Sequence, residues 1–515
     1  MENITIQDIL EATDGTLLCG DPSMKIDHLS TNSMEVGPNT LFVPIIGERV
    51  DAHIFIPNAL KEGGACLTQE HNEAEGDAPY IKVPDTLTAM QQIASYYRNK
   101  MSLPIIGVTG SVGKTTTREM IAHVLKGKYK VFETIGNQNS QVGVPLTLDH
   151  LTSEDEIGVL EMGMSEKGQI TTLGNIIHPN VGVVTNVGVS HIEMMGSRDN
   201  ICIEKLDIQN GLPEDGVLFL NGDNDMIRKH IDYVKKPYEF YGFADDCTYR
   251  AEKIREKNGQ TLFEFHYGNM KENITLNVLG KHNVSNALAA IAIGLRYDVP
   301  MDAIKTQLST FSGQRQNIVH VNDYTLIDDA YNASPDSMKA SLSILSDFKT
   351  RGRKIAVLSD MLELGPDSPE YHKEVGRFIA TTKVSELIAA MYSLKIPRSI
   401  TITFAMVLRF FPTFSEEIHN IYDAMRLRGI ALSWKNVFTR PMLILEAIAI
   451  PIVMRSASIA EELSASAVTR GIDNPAQRTS FIQLKVHAKD WMVLCFFLVA
   501  FVVLFFCKYQ IYGRI

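Results

Sequence analysis

The stretch Ile105-Ile-Gly-Val-Thr-Gly-Ser-Val-Gly-Lys-Thr-Thr116 decides the fold. An apolar, strand-like run ends there in a glycine-rich turn, and helical periodicity follows from Thr115 to Lys126. Such a turn binds phosphate oxygens through backbone N–H groups at a helix N-terminus, and the alternative is a chance glycine turn before a helix. Lys114 would bridge the β- and γ-phosphates of a nucleotide, and the Thr115 hydroxyl would bind Mg²⁺. The predicted nucleotide-binding residues are Gly110, Ser111, Val112, Gly113, Lys114, Thr115 and Thr116.

The loop is a shortened form of a known pattern. The strict eight-residue Walker pattern requires glycine at position 108, where this chain has Val108, so the match is to GxxGKT.

Strand and helix signals alternate on both sides of the loop, which predicts an α/β fold with a mainly parallel central sheet. Four parts are expected: residues 1–100, 101–314, a partial α/β domain over 315–390, and a helical tail over 391–515. Strands are predicted at Thr40–Ile46, Tyr80–Val83, Ile105–Val108, Gly158–Glu161, Val181–Asn186, Tyr324–Asp328, Lys354–Ser359 and Val384–Ile388. Helices are predicted at Thr86–Lys100, Thr115–Lys126, Pro335–Leu345 and Ser368–Ala380.

Charge and cysteine content exclude several classes of protein. The 515 residues carry a net charge of −11, which argues against a dedicated nucleic-acid binder. Six cysteines without CxxC spacing argue against a disulfide scaffold or a cysteine-based zinc site, and they fit a reducing compartment. The first ten residues are polar, so no signal peptide is expected.

The last 125 residues differ in composition from the rest. They contain 14 Lys/Arg against 8 Asp/Glu, a charge of +6, whereas the first 390 residues carry −17. Trp491–Cys507 is an uninterrupted apolar run of 17 residues, about 26 Å as a helix, which is the short end of a membrane span. The alternative for this run is a buried core helix. Arginines that flank the tail's apolar runs, such as Arg426 and Arg455, predict that those segments face the cytoplasm.

Three charged residues near predicted strand ends are candidates for metal chemistry. Glu161 ends a strand beside the phosphate loop, where a carboxylate can hold Mg²⁺, although a capping or surface role is equally compatible. His191 also follows a strand, and a lone histidine is more often structural. Lys205 lies in an apolar and acidic stretch, for which a solvated helix face is the simpler interpretation.

Five ordered motifs over residues 1 to 390 resemble the Mur ligase family, the ATP-dependent amide ligases of peptidoglycan assembly. Besides the phosphate loop, these are Thr185-Asn186 with His191–Ser197, Glu204-Lys-Leu-Asp207, Gly280–Ala290, and Ile327-Asp-Asp-Ala-Tyr-Asn-Ala-Ser-Pro-Asp-Ser-Met338. The last of these, together with Gly136–Pro145, is similar to the members that add D-alanyl-D-alanine to UDP-N-acetylmuramoyl tripeptide.

The resemblance implies a role for each matching residue. Thr115 and Glu161 would hold one Mg²⁺ ion, and His191 would help to hold a second. Lys205 would be carbamylated and so carry a carboxylate-like group to the metal. Lys114, Lys205 and His191 are then the predicted catalytic residues. Asn283 and Asn286 would face the adenine, Arg315 and Asp329 the ribose and phosphates, and Ser33, Asn139 and Asn332 the substrates.

The tail is similar to the C-terminal half of the membrane T component of energy-coupling factor vitamin transporters. Met406–Pro412 and the sites Arg428-Gly429 and Arg470-Gly471 carry the likeness, and the two arginines would insert into ABC-type ATPase subunits. A generic basic membrane anchor is the alternative for the tail. Three hypotheses follow for the whole chain: a ligase held at the cytoplasmic face of the membrane with an incomplete third domain, a transporter coupling protein, or an inactive gene fusion.

Overall fold

The computed structural model describes residues 1–379, except 48–49, 75, 258, 314–316, 322–323, 331, 349 and 351–353. Within this range Met1–Val375 form one compact unit. The predicted strand at Val384–Ile388 and the whole tail over 391–515, with its predicted membrane helix, lie outside the described residues. No helix in the described part is long and apolar enough to cross a membrane.

The first hundred residues form a small α/β module. Four parallel strands carry one antiparallel edge strand, in the order β2-β7-β6-β5-β4, and β1 pairs with β3. Helix α3 begins where the Asp85 side chain accepts a hydrogen bond from the Thr88 amide (2.7 Å), which caps its N-terminus. The strands are β1 Ile4–Thr5, β2 Thr16–Cys19, β3 Lys25–Ile26, β4 His28–Ser30, β5 Thr40–Phe42, β6 Ala65–Thr68 and β7 Tyr80–Lys82, and the helices are α1 Ile6–Thr13, α2 Ile56–Ala59 and α3 Thr86–Lys100.

A nine-stranded sheet forms the centre, in the order β16-β15-β14-β13-β12-β11-β8-β10-β9. Pairing is parallel from β9 to β14 and antiparallel between the last three strands, so the prediction of a mainly parallel sheet is confirmed. Every residue of the neighbouring interior strands β8 and β10 is buried, as expected for a sheet covered on both faces. The strands are β8 Ile105–Thr109, β9 Val131–Glu133, β10 Ile157–Glu161, β11 Val181–Val184, β12 Val217–Asn221, β13 Tyr238–Gly242, β14 Tyr249–Lys257, β15 Gln260–Tyr267 and β16 Met270–Leu276.

Helices cover both faces of this sheet and bury two apolar clusters against it. Helix α10 packs along α4, the helix that follows the phosphate loop. The helices are α4 Lys114–Leu125, α5 Gly143–Leu148, α6 Gln169–Ile177, α7 Ile192–Met195, α8 Arg198–Leu206, α9 Asp225–Lys229, α10 Lys281–Arg296 and α11 Met301–Thr310.

The described residues after 316 contain a hairpin and two helices. Strands β17 Asn317–Val321 and β18 Tyr324–Asp328 pair antiparallel, helix α12 spans Pro335–Asp347, and a helix covers 368–379. The prediction of a strand at Lys354–Ser359 is wrong, because 354–359 are irregular. A strand needs a neighbour for its ladder hydrogen bonds, and no described segment pairs with this one; Val357 is 94% exposed.

The end of α3 is tied to the central sheet by a buried arginine. The Arg98 guanidinium donates to the carbonyl oxygens of Ile177 (2.8 Å), Met101 (2.8 Å) and Leu103 (3.0 Å). Its burial lowers the pKa of Arg98 to about 10, so the group stays charged at neutral pH.

We expect Arg98→Met to lower the free energy of unfolding by about 3 kcal/mol, because three buried carbonyl groups lose a charged donor. Urea denaturation of both proteins measures the loss. Asn99→Ala is the matched control, since Asn99 is the exposed neighbour on the same helix and should change stability by about 0.5 kcal/mol or less. Equal stability of Arg98→Met and the parent chain would contradict this role.

Candidate active site

The phosphate loop is shaped by a glycine that no other residue can replace without a shift. Gly110 follows β8 with φ 153°, and a Cβ atom there would lie 1.9 Å from Thr185 Oγ1. Thr185 and Asn186 follow the neighbouring strand β11 and hold the loop: Thr185 Oγ1 donates to the Val112 carbonyl (2.7 Å), and Asn186 Oδ1 accepts from the Val112 amide (2.9 Å). The loop conformation is therefore fixed by two adjacent parallel strands.

The loop places a cation and a hydroxyl beside the start of α4. Lys114 Nζ donates to the Gly110 carbonyl at 3.0 Å. Ser111 Oγ is buried and has no hydrogen-bond partner among the described residues. Gly113 precedes α4 with φ 85°, and no side chain caps that helix. Uncapped helix N-termini next to a glycine turn bind phosphate, so a polyanionic ligand fits these groups.

Glu161 is the carboxylate of the site. It ends β10, pairs in register with Val108 of β8, and is 2% exposed. Asn139 Nδ2 donates to Glu161 Oε1 at 2.8 Å, and Thr134 Oγ1 accepts from the Glu161 amide at 2.8 Å. Asn139, which the sequence assigned to substrate, therefore orients the carboxylate.

His191 precedes α7 with φ 63° and contacts a residue far along the chain. Its Nδ1 atom lies in close contact with Oε2 of Glu363, in a geometry that does not make a hydrogen bond. Burial lowers the pKa of His191, the nearby charges of Lys205 and Lys114 lower it further, and Glu363 opposes them.

Lys205 is buried on α8 and is 2% exposed. The adjacent Glu204 accepts from the Gly168 and Ile170 amides (2.7 and 2.8 Å). Burial lowers the pKa of Lys205 well below its ordinary value, and the charge of Lys114 lowers it further. The predicted solvated helix face is therefore wrong.

The phosphate loop, Glu161 and His191 meet at a cavity of about 300 Å³ at the carboxyl ends of β8, β10 and β11, whose lining includes neither Thr115 nor Lys205. It is lined from the central domain by Ser111, Val112, Lys114, Asn139, Ser140, Glu161, Gly163, Met164, Ser165, Gln169, Ser190 and His191, and from the following part by Asn332, Ser334 and Ser337. The sequence predicted Ser111 but missed Glu363 and the other serines, because contacts between distant segments leave no local pattern. The missed serines are Ser140, Ser165, Ser190, Ser334 and Ser337.

Other predicted residues lie outside this cavity's lining. Asn283 and Asn286 are buried, and Asn286 Oδ1 accepts from Thr117 Oγ1 of α4 (3.1 Å). Asp329 accepts a hydrogen bond from Ser341 on α12. Ser33 is half-buried in the loop after β4, and Arg315 lies among the residues that the structure does not describe.

The donor set suits a hard divalent cation. The Thr115 hydroxyl and the Glu161 carboxylate offer oxygen ligands beside a loop that binds phosphate, which is how Mg²⁺ is held in nucleotide sites. The buried, unpaired Ser111 hydroxyl marks a place for a further acceptor at the same loop. The residues present therefore fit a nucleotide with Mg²⁺.

A parallel sheet with a phosphate loop and a buried carboxylate at its C-terminal edge defines a P-loop nucleotide-binding protein, and comparisons with known proteins place it further. The Mur ligase middle domain matches residues 108–294, and the Mur ligase glutamate ligase domain matches 314–426. The UDP-N-acetylmuramoyl-tripeptide–D-alanyl-D-alanine ligase of Bacillus subtilis is 38% identical over 390 residues, which cover 74% of this chain and 84% of that protein. The Escherichia coli ligase of the same name is 30% identical over 76% of this chain and 86% of its own length.

Solved structures agree. The crystal structure of MurF from Acinetobacter baumannii matches with a TM-score of 0.69 at 30% identity, over 73% of this chain and 83% of that one. The MurF ligase from Thermotoga maritima in complex with ADP matches with a TM-score of 0.64 at 29% identity, over 69% of this chain and 82% of that one. The chain belongs to the Mur ligase family of ATP-dependent amide-bond ligases.

A second family matches beyond the ligase part. The cobalt transport protein family matches residues 375–481 and overlaps the ligase match over 375–426. The expected likeness of the tail to a membrane transport component is thereby supported at the level of the family.

Proposed function

We propose that this chain joins D-alanyl-D-alanine to UDP-N-acetylmuramoyl tripeptide at the expense of ATP. The observation that carries the proposal is the cavity where the phosphate loop, Glu161, His191 and Asn332 meet. The curated relatives that the chain covers by 84–86% are named for this reaction.

The chemistry proceeds through an acyl phosphate. A carboxylate oxygen of the tripeptide attacks the γ-phosphorus of ATP, the bond to the β-phosphate oxygen breaks, and ADP leaves. The amine of D-alanyl-D-alanine then attacks the acyl carbon, loses a proton, and displaces inorganic phosphate. The Lys114 ammonium, beside the Gly110 carbonyl, stabilises charge on the transferring phosphoryl group.

Two Mg²⁺ ions fit the residues around the cavity. Thr115 and Glu161 would hold one, and His191 with a carbamylated Lys205 would hold the other. The ions supply charge neutralisation to the phosphate oxygens when bound. Carbamylation joins the neutral Lys205 amine to CO₂, forming an N–C bond and releasing one proton, and burial of Lys205 supports the neutral amine.

The remaining predicted roles belong to the same proposal. Asn283 and Asn286 serve the adenine, Arg315 and Asp329 the ribose and phosphates, and Ser33 the UDP part of the substrate. The boundaries 1–100, 101–314 and 315–390 divide substrate binding, ATP binding and the closing domain.

We expect the purified chain to release phosphate from ATP only when both UDP-N-acetylmuramoyl tripeptide and D-alanyl-D-alanine are present. A coupled phosphate assay with each substrate omitted in turn measures this dependence. Retained ATP binding without phosphate release would contradict the ligase proposal and favour the inactive fusion.

For the tail, the match to the cobalt transport family supports a second role. We propose that residues 391–515 hold the ligase part at the cytoplasmic face of the membrane, with Arg428 and Arg470 as the contacts for ABC-type ATPase subunits. Fractionation of cells that produce the full chain tests the anchor: recovery of all of it in the supernatant after ultracentrifugation would contradict membrane attachment.

A further inference from the structure

A short segment from the part of the chain after residue 316 packs on α7, the helix that begins directly after His191. The Glu193 amide donates to the Glu363 carbonyl at 3.3 Å. Met361 and Leu364 on either side are buried, at 2% and 3% exposure. The segment is therefore held by apolar contacts and a backbone hydrogen bond. These contacts fix the position of the Glu363 side chain.

That position is against the His191 imidazole. Oε2 of Glu363 contacts Nδ1, the ring nitrogen nearer the backbone. Negative charge beside Nδ1 favours the proton on that nitrogen and leaves the Nε2 lone pair available. Glu363 is about half-exposed, whereas the His191 side chain is 26% exposed and lies in the cavity lining.

We propose that Glu363 is a positioning residue, which orients His191 for a divalent cation and makes the cation site depend on docking of the 360–365 segment. This inference rests on the proposed function, because it assumes the role of His191 at the metal. It goes beyond that function, since it assigns a group from the third part of the chain to the metal site. Docking of the 360–365 segment then brings the Glu363 carboxylate against His191.

The inference is tested by measuring the affinity of the chain for a divalent cation rather than its rate of turnover. Mn²⁺ substitutes for Mg²⁺ and is counted by electron paramagnetic resonance, in the presence of a non-hydrolysable ATP analogue and without the peptide substrates. We expect Glu363→Gln to weaken Mn²⁺ binding about 10-fold to 100-fold, the usual effect of removing a group that orients a ligand. Glu363→Asp keeps the carboxylate and should recover part of the affinity.

Glu370→Gln is the matched control, since it removes one negative charge from an exposed residue of the next helix. Mn²⁺ affinity of Glu363→Gln within twofold of the parent chain, or an equal loss in Glu370→Gln, would overturn the inference. Should Glu363→Gln fail to fold, Glu363→Ala carries the test, with weakened Mn²⁺ binding expected and unchanged binding overturning the role.

The two proposals fail separately. A chain that releases no phosphate but shows Mn²⁺ affinity dependent on Glu363 contradicts the ligase reaction alone. A chain with substrate-dependent phosphate release and Mn²⁺ affinity independent of Glu363 contradicts the positioning role alone.

Discussion

Replacing Lys114 by methionine should lower substrate-dependent phosphate release by about 10²-fold to 10³-fold, the typical cost of removing one group that stabilises transition-state charge. Methionine keeps an unbranched stem in the loop but removes the ammonium that now lies 3.0 Å from the Gly110 carbonyl. The loss should fall mainly on kcat, because the interaction strengthens as the γ-phosphoryl group transfers. Steady-state kinetics with both peptide substrates measures it.

Lys126→Met is the control for this experiment. Lys126 directly follows the same helix, its side chain is 47% exposed, and it pairs with Glu133 rather than with the loop. Exposed ion pairs contribute little, so the control should retain parental kcat. Activity of Lys114→Met within tenfold of the parent chain would remove Lys114 from the reaction.

The fold around the phosphate loop was predictable because adjacent residues in the sequence determine it. The apolar run and glycine turn placed β8 and α4 to within a residue, and the prediction of α3 matches the structure at both ends. Lys354–Ser359 failed for the opposite reason. Its apolar pattern favours a strand, but strand formation depends on a neighbour that no local pattern specifies.

The site was predictable only in part. Glu161 ends β10 and His191 lies in the segment between β11 and α7, and parallel strands bring their carboxyl ends to one edge, so their proximity follows from the fold. Glu363 lies 172 positions beyond His191, and only tertiary packing makes them neighbours. The substrate role of Asn139 stays a prediction, and its hydrogen bond to Glu161 joins two segments that no local pattern connects.

Lys205 is a lysine buried beside the phosphate loop, where an ordinary ammonium group is unfavourable. Burying an ammonium is costly, and burial lowers the pKa of Lys205 well below its ordinary value, which shifts the balance towards the neutral amine. A neutral amine reacts with CO₂, and the product carries the negative charge that a metal site requires. The burial and the proposed carbamate therefore explain each other.

We expect Lys205→Ala to lower phosphate release by about 10²-fold or more, because the site loses one anionic group beside the transferring phosphoryl. A small carboxylate such as acetate or propionate should restore part of the activity by occupying the space left by the lysine. Phosphate release measured against carboxylate concentration checks both statements.

The matched control is Lys229→Ala, which removes an exposed lysine from α9 and should respond to neither truncation nor acetate. Rescue distinguishes the carbamate from an ordinary lysine: if Lys205 acted as a cation, a carboxylate would worsen the defect and a small amine would relieve it. Low pH should reverse carbamylation, because acid protonates the Lys205 amine and releases CO₂. Activity of the parent chain should therefore fall at low pH and recover on addition of bicarbonate, and rescue of Lys205→Ala by methylamine instead of acetate would refute carbamylation.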